Sequence, residues 1–500
     1  VYKSEDGGSS WSEITGDLIR PADDYSFGGG QVIHAQAITF KSDDPDWLLV
    51  GAVGLALTTD GGATWQIGQS VHGIERGHAD FTQLFFRGNN GLWMANDGGI
   101  YFHDVLASKT FHALGNSTTG LACTEMDFLD ADRYVRGFGS QDNGSALSID
   151  QGITWEFLGG GDGADIEIYD PDDGDIWYNV GADPWNTYRK RYGQAAEFSD
   201  NPPKYMPRIF YRRADDRIYT NDGTDIYSTS ASADPIEAWV NEVGNLQSDT
   251  YGIRSMSGGN AGDPAFYVTY WTGGSADNHR DLTIVHKSGG SWQINHLEDF
   301  NPSVDYVQQV KVSELWPGEC WVGMSGPPGS PKLMHTTDYG QTWEDLTANL
   351  VDLPAVKTIE VMPFDPLTLF VGTELGVYRS TDGGASWQPF MEGLPVGRSR
   401  ELRLVADPSH SDQWQLILAS DGKGMWSRAV VSPPVIFVDG DATGTEDGTI
   451  WHPYNTMAEG LLAAPAGAVV ALRRDTYIEP STVDQDVRLV SWGGGSAVVR

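Results

Sequence analysis

An all-β chain assembled from repeated small sheets is the fold class this sequence predicts, and three observations predict it. The first is an octet, Ser380-Thr381-Asp382-Gly383-Gly384-Ala385-Ser386-Trp387, in the pattern hydroxyl-x-Asp-x-Gly-x-hydroxyl-Trp; it occurs five times, beginning also at Ser4, Thr58, Ser148 and Thr336. The second is spacing. Trp343 to Trp387 spans 44 residues, Trp292 to Trp343 spans 51 and Trp11 to Trp65 spans 54, while the 90 residues from Trp65 to Trp155 have Phe111 midway. Each interval has room for four short strands, the content of one propeller blade. The third is composition: 61 glycines, 18 tryptophans and 20 tyrosines, spread along the chain, suit many short strands joined by tight turns.

The octet reads as a turn with a mechanism. The Asp382 carboxylate is placed to accept from the backbone N–H groups that follow it, and Gly384 supplies a positive φ at no steric cost. The hydroxyls of Ser380 and Ser386 tie the two arms together, and Trp387 starts the outgoing strand with a large apolar anchor. Asp6, Asp60, Asp150, Asp338 and Asp382 are therefore expected to be structural.

The octets resemble the Asp-box (BNR) repeat of a β-propeller superfamily that includes sialidases, xyloglucanase-type tandem-propeller glycoside hydrolases and sortilin-type receptors. The resemblance covers residues 1–431 and implies propeller blades. In the unit from Lys357 to Phe390, TIEVMPF is the inner strand, LFVGTE and GVYRST follow, the octet turns and WQPF is the outer strand. The same grammar gives about nine complete units plus a half-unit at 1–15, a count that favours parts of two tandem propellers.

The grammar stops at Val431-Ser432-Pro433-Pro434-Val435, where residues 432–435 read as a linker. Beyond it, Tyr454 to Ala464 has helical spacing with Asn455 as a candidate cap, and VVALRRDTYIEP, VRLVSWGG and AVVR are short strands at solenoid spacing. Residues 436–500 resemble the cap and first coils of a right-handed parallel β-helix of the pectin-lyase-like type.

The formal charge of −37, from 69 acidic and 32 basic residues, would repel a polyphosphate and argues against a nucleic-acid partner. No run approaches the roughly 18 apolar residues of a membrane span. Cys123 and Cys320 are too few and too far apart for a disulfide framework or a metal-type spacing. The chain opens at Val1 inside a hairpin and reads as a piece of a longer protein, with an extracellular location (secreted or cell surface) expected.

Propeller ligands meet the loops that enter inner strands and the turns between second and third strands. His34, His78, Asp80, Asp162 and Asp165 stand at inner-strand entrances, and Asn96-Asp97-Gly98-Gly99 and Gln141-Asp142-Asn143-Gly144 are the turns. Asp97 and Asp142 are the candidate catalytic carboxylates, since glycoside chemistry needs one protonated acid and one ionised base or nucleophile. Asp97 in NDGGIY is similar to the turn that carries a catalytic Asp in xyloglucanase-type enzymes, where the second carboxylate comes from the other propeller. The Arg-Ile-Pro motif of sialidases is absent; the nearest string is Pro207-Arg208-Ile209-Phe210. Trp185 is a candidate sugar-stacking ring. Asp439 and Asp441 are candidate calcium ligands, as is the loop Asp170 to Asp175; His72, Glu75 and His78 have zinc-ligand chemistry, and no other cofactor is implied. These features lead to a propeller that binds polysaccharide or another extracellular ligand without turnover. The alternatives are an endo-acting hydrolase of xyloglucanase type and a protein-binding scaffold like the sortilin-type receptors.

Overall fold

The computed structural model describes the chain except residues 16–17, 19–36, 69, 72–73, 76–77, 89–90, 105–110, 114–125, 142, 182–184, 200–207, 245, 247–252, 261–262, 271–281, 298–305, 315, 408–412, 432, 449–451, 474–475, 479–482, 484–485, 493–496 and 500. Each octet folds as its residue types require. The Thr58 hydroxyl donates to Asp60 Oδ1 at 2.7 Å and accepts from the Gly62 N–H at 2.9 Å. Asp60 in turn accepts from the Thr64 N–H at 2.9 Å and from the Thr64 hydroxyl at 2.6 Å. The same four bonds recur around Asp6, Asp150, Asp338 and Asp382. Two successive residues take positive φ in every copy, and Gln151 (62°) and Tyr339 (57°) hold the first of these positions without being glycine.

The tryptophans are less uniform than the octets. Trp65 and Trp387 are buried and their indole N–H groups reach back to the carbonyls of Ile14 and Leu346. Trp11, Trp155 and Trp343 donate their indole N–H groups to a glycine carbonyl of their own turn, and Trp11 is 62% exposed, so at that copy the expected anchor is missing.

Residues 126–431 form seven sheets, called blades 1 to 7 here. Their inner strands are Met126–Asp132, Asp162–Asp170, Ile209–Arg212, Ile253–Gly258, Tyr306–Val312, Val356–Met362 and Ser399–Ala406. Blades 1 to 6 are four-stranded antiparallel sheets in sequence order, and blade 7 has three strands. Each inner strand neighbours the next, and the seventh neighbours the first. The ring is a β-propeller.

Hydrophobic clusters fill all seven seams. Val135 and Leu147 meet Ile166 and Tyr178 between blades 1 and 2, and Trp177 meets Ile218 between 2 and 3. Tyr219 meets Phe266, Tyr267 meets Val322, and Trp321 meets Leu369 at the following three seams. Phe370 meets Leu416 between 6 and 7. The closing seam buries smaller groups, Met126, Leu129 and Ala131 against Val405, Ile417 and Ala419, with Phe138 and Met425 partly buried beside them.

Residues 1–125 carry two further four-stranded sheets, Ala37–Lys41 through Gln66–Gly68 and Phe81–Arg87 through Phe111–Ala113, around Leu49, Leu55, Phe81 and Leu92. A two-stranded ribbon, Tyr2–Lys3 with Ser12–Glu13, holds the first octet. Among the described residues these nine sheets agree with the expected number of repeat units, and seven of the nine make a ring by themselves.

After blade 7 the pairing changes from antiparallel to parallel. Val435–Val438 pairs with Ala468–Arg473, which pairs with Val487–Trp492; Thr476–Tyr477 pairs with Val498–Val499. Val435, read as the last linker residue, already begins a strand. The helix Met457–Ala463 is capped by Thr456, whose hydroxyl accepts from the Glu459 N–H, while Asn455, the expected cap, bonds the Glu446 carboxylate instead. Thr456-x-x-Glu459 has the spacing of a capping box, and the Thr456 hydroxyl donates to the Glu459 carboxylate at 2.5 Å. Phe437, Val469 and Ala471 pack on Phe364 of blade 6, and Arg488 donates to the Asp365 carboxylate at 2.9 Å and the Phe364 carbonyl at 2.7 Å.

Candidate functional site

An inner strand is the edge of its sheet, so half of its backbone N–H groups lack a ladder partner and need another acceptor. In this ring the acceptors are polar side chains of the preceding blade. Asp130 accepts from Ile168 N–H at 2.7 Å, Asp165 from Ile209 at 3.1 Å and Glu167 from Tyr211 at 3.3 Å. Gln309 accepts from Ile359 at 2.7 Å, Thr358 from Leu402 at 3.0 Å, and Glu401 from Leu129 at 3.1 Å across the closing seam.

These groups place a charge network around the ring axis. Arg403 is its hub: it lies 2.8 Å from Glu401, 3.4 Å from Asp130 and 3.8 Å from Glu360, and Lys311 lies 3.0 Å from Glu360. Burial pushes Asp165 up to about 6, against the pull of Arg208. Burial, then the charges of Asp130 and Asp165, drives Glu167 well above the usual carboxylate range. Glu360 is raised by burial against Lys311 and Arg403. Burial alone would lower Arg403, but Glu401, Asp130, Glu360 and Glu167 outweigh it and raise it.

At the end of the ring where the inner strands begin, a second set of charges surrounds the mouth. Arg400 bridges Asp127 at 2.8 Å and Asp421 at 3.3 Å, and Lys357 bridges Glu374 at 3.1 Å. The Arg208 guanidinium lies 4.4 Å from the Phe128 ring centre, a cation–π contact. Burial raises Asp127, opposed by Arg400.

Of the residues singled out from sequence, Asp162 and Asp165 stand in blade 2 beside the turn that holds Asp142. Gly163 makes this possible: a Cβ there would lie 2.1 Å from the Gly144 carbonyl oxygen and 2.6 Å from the Ser140 nitrogen, so only glycine lets the two backbones meet. Asp142 itself and His34 lie outside the described residues. Trp185 is in the third strand of blade 2, paired with Gly181. In residues 1–125, His78 and the turn carrying Asp97 are neighbours. Asn96 organises that turn, donating to the His78 carbonyl at 3.1 Å and accepting from the Gly98 N–H at 3.1 Å. Asp80 takes a left-handed φ of 61° just before its inner strand.

Asp439, read as a calcium ligand, gives Oδ2 to Arg473 and accepts from the Asp441 N–H at 3.0 Å. In the loop 170–175, Asp170 accepts from the N–H groups of Asp172 and Asp173, and Asp172 pairs with Arg133. Among the described residues no group of three or more His, Cys, Asp or Glu side chains is arranged to hold a metal ion. His72 of the proposed zinc set lies outside them.

Sequence reasoning passed over Asp130, Glu167, Glu360, Glu401 and Arg403. The signal was available: charges at alternate positions in the most apolar strands, as in ADIEIYD and RELRLV, must face something other than the core.

No family model matches the chain. It is 28% identical over 134 residues to a probable oligoxyloglucan-reducing end-specific xyloglucanase of Neosartorya fischeri, a stretch that is 23% of this chain and 16% of that protein. Among solved structures it is similar to YCF48 bound to D1 peptide (15% identity, TM-score 0.33, covering 69% of this chain and 93% of that one). It is also similar to the WD40 β-propeller domain of Doa1 (12% identity, TM-score 0.42, covering 61% and 92%). No helix among the described residues is long and apolar enough to cross a membrane.

Proposed function

We propose that this chain is the Asp-box propeller region of a secreted or cell-surface protein, that its seven-bladed ring binds a glycan at the mouth without turnover, and that residues 436–500 open a right-handed parallel β-helix. Five turns closed by the same four bonds support the Asp-box reading, and parallel strands behind a capping helix support the β-helix. One observation carries the non-catalytic reading: Asp130, Asp165, Glu167, Glu360 and Glu401 each already accept a backbone N–H or hold a cation of the ring. Carboxylates so engaged hold the ring together and are poor candidates for proton transfer to a ligand. Arg208, Lys357 and Arg400 offer the mouth hydrogen-bond donors, one of the means by which proteins grip sugars.

The test is affinity electrophoresis against xyloglucan and other soluble polysaccharides, with reducing ends counted in parallel. Retardation without release, weakened at least about tenfold by Arg400→Ala, is expected. Unchanged mobility on every polysaccharide would end the proposal.

A hydrolase is the second reading, favoured by the identity to the xyloglucanase. It assigns the acid and base to Asp97 and Asp142. Release of reducing ends that both Asp97→Ala and Asp142→Ala abolish would establish it.

A further inference from the structure

We propose that the ring axis is a proton-operated clasp: blades 7 and 1 are held together through carboxylates that share too few cations, so the closing seam tightens when a proton is added to the axis and loosens when it is removed. This stands apart from what the mouth binds.

The closing seam needs such help more than the others. Its buried members are Met126, Leu129, Ala131, Val405, Ile417 and Ala419, with Phe138 and Met425 only partly buried against them, whereas every other seam fully buries at least one aromatic side chain. Blade 7 has three strands, so among the described residues no strand from another part of the chain completes its sheet and locks the circle. Polar contacts take up the load. Glu401 accepts the Leu129 N–H, Arg403 reaches Asp130, Arg400 reaches Asp127, and Arg136 reaches Gln415.

The charges at the axis do not balance. Blade 1 supplies Asp130, blade 2 Asp165 and Glu167, blade 6 Glu360, and blade 7 Glu401 with Arg403; blade 5 supplies Lys311 and the neutral Gln309. Blade 3 offers backbone N–H groups at Ile209 and Tyr211, with Arg208 facing Asp165 from the mouth. The blade 4 inner strand carries Arg254, whose side chain lies outside the described ones, and Glu314 adds a further negative charge near Glu360. Among the described side chains, five central carboxylates therefore face two central cations, Arg403 and Lys311, with Arg208 a third beside Asp165. Burial first, and then the neighbouring carboxylates, disfavours full ionisation, and the cheapest relief is a proton on Asp165 or Glu167. A protonated carboxyl keeps an oxygen free to accept its Ile209 or Tyr211 N–H, so the contact between blades survives while the repulsion falls.

The direction follows from linkage. Asp165 is raised in the folded ring to about 6 from 3.8, so the folded state holds more protons than the unfolded one between those values. Stability is then lost as pH rises through 6 and regained on acidification. From pH 7.5 to 5.5 a single group so shifted lowers the opening equilibrium about fourfold, and Glu167 adds to that.

Hydrogen exchange on the full chain tests this, read at Met126–Asp132 and Ser399–Ala406 and corrected for intrinsic exchange. Protection of both strands is expected to rise at least about fourfold between pH 7.5 and 5.5, while Ala265–Tyr270 in blade 4 stays constant. Asp165→Asn with Glu167→Gln keeps both acceptors, and should abolish the pH response and give acid-like protection at pH 7.5. Equal protection at the two pH values in the wild type would overturn the proposal, as would a full response surviving in the double variant. Should the double variant fail to fold, the single variants and the wild-type profile read the same quantity.

Discussion

Replacing the octet tryptophan by alanine should have very unequal consequences at two copies of one motif. Trp387 is 3% exposed, sits in the seam between blades 5 and 6, and donates its indole N–H to Leu346 at 3.0 Å. A buried tryptophan removes roughly 150–250 Å² from water, which at about 25 cal/mol per Å² is roughly 4–6 kcal/mol, an upper figure because the unfolded chain already hides part of that area. The lost bond to Leu346 costs about 1 kcal/mol more. Measured aromatic truncations fall at about 3–5 kcal/mol, and that is the expected loss for Trp387→Ala. The backbone at this position is held independently, because the Asn349 side chain accepts from the Trp387 N–H and donates to its carbonyl, both at 2.8 Å. The substitution thus removes packing without undoing the turn. Trp11→Ala, at 62% exposure, should cost less than about 0.5 kcal/mol. The assay is urea unfolding read by exchange labelling of Val356–Met362 for one variant and Tyr2–Lys3 for the other. Equal losses at the two positions, or a loss below about 1 kcal/mol at Trp387, would refute the reasoning.

Three further outcomes are expected. Lys332 is fully buried and its ammonium donates to the Pro327 carbonyl at 2.7 Å, the Ser330 carbonyl at 3.1 Å and the Ser330 hydroxyl at 2.6 Å; Lys332→Met should cost about 2–4 kcal/mol and open the loop 326–331 to limited proteolysis. Gln151→Gly relieves a left-handed residue at φ 62° and should stabilise blade 1 by about 0.5–1 kcal/mol in thermal unfolding, whereas Gly152→Ala, at φ 89°, should destabilise it. The turn carboxylates Asp6, Asp60 and Asp150 are held down to about 2, chiefly by the hydroxyls of Ser10, Thr64 and Thr154. Their contribution is present above pH 3.8 and is lost as pH falls toward 2, so Asp150→Ala should flatten the acid limb of the blade 1 stability profile and leave its neutral plateau lower.

The turn and the four-strand unit were legible because each depends on residues within a dozen positions of one another. Asp60 and Thr64 carry their geometry in their own side chains, and the boxless units kept the same strand rhythm. Ring closure was not legible, since it rests on Leu129 meeting Glu401, 272 positions apart, and no local pattern marks that meeting. The axial charges were hidden for a related reason: a strand such as Val356–Met362 reads as core until one sees that its free edge faces the axis, where Glu360 finds Lys311. The helix cap went to Thr456 over Asn455 because the Thr456 hydroxyl both accepts the Glu459 N–H and donates to the Glu459 carboxylate, while Asn455 is taken up by Glu446. Of the site residues read from sequence, Asp165 came closest to the chemistry, yet its neighbours Glu401 and Arg403 from blade 7 are supplied by topology alone.

Arg488 also decides where mechanical load travels. Only residues 432–434 separate the last strand of blade 7, Gly424–Val431, from the parallel strands, so a pull on that C-terminal region would otherwise peel blade 7 directly off the circle at its weakest seam. The fork of Arg488 on Asp365 and the Phe364 carbonyl, with Phe437 packed edge-on against Phe364 at 4.9 Å, diverts tension into blade 6, which is backed by the large Trp321–Trp387 cluster. In single-molecule stretching from residue 499, the Arg488→Ala chain should release blade 7 at lower force than the wild type, and equal rupture forces would mean the fork bears no load. A protein whose C-terminal strands are tethered while its ring grips a ligand would, through this one side chain, pull on its circle from the flank that can bear it.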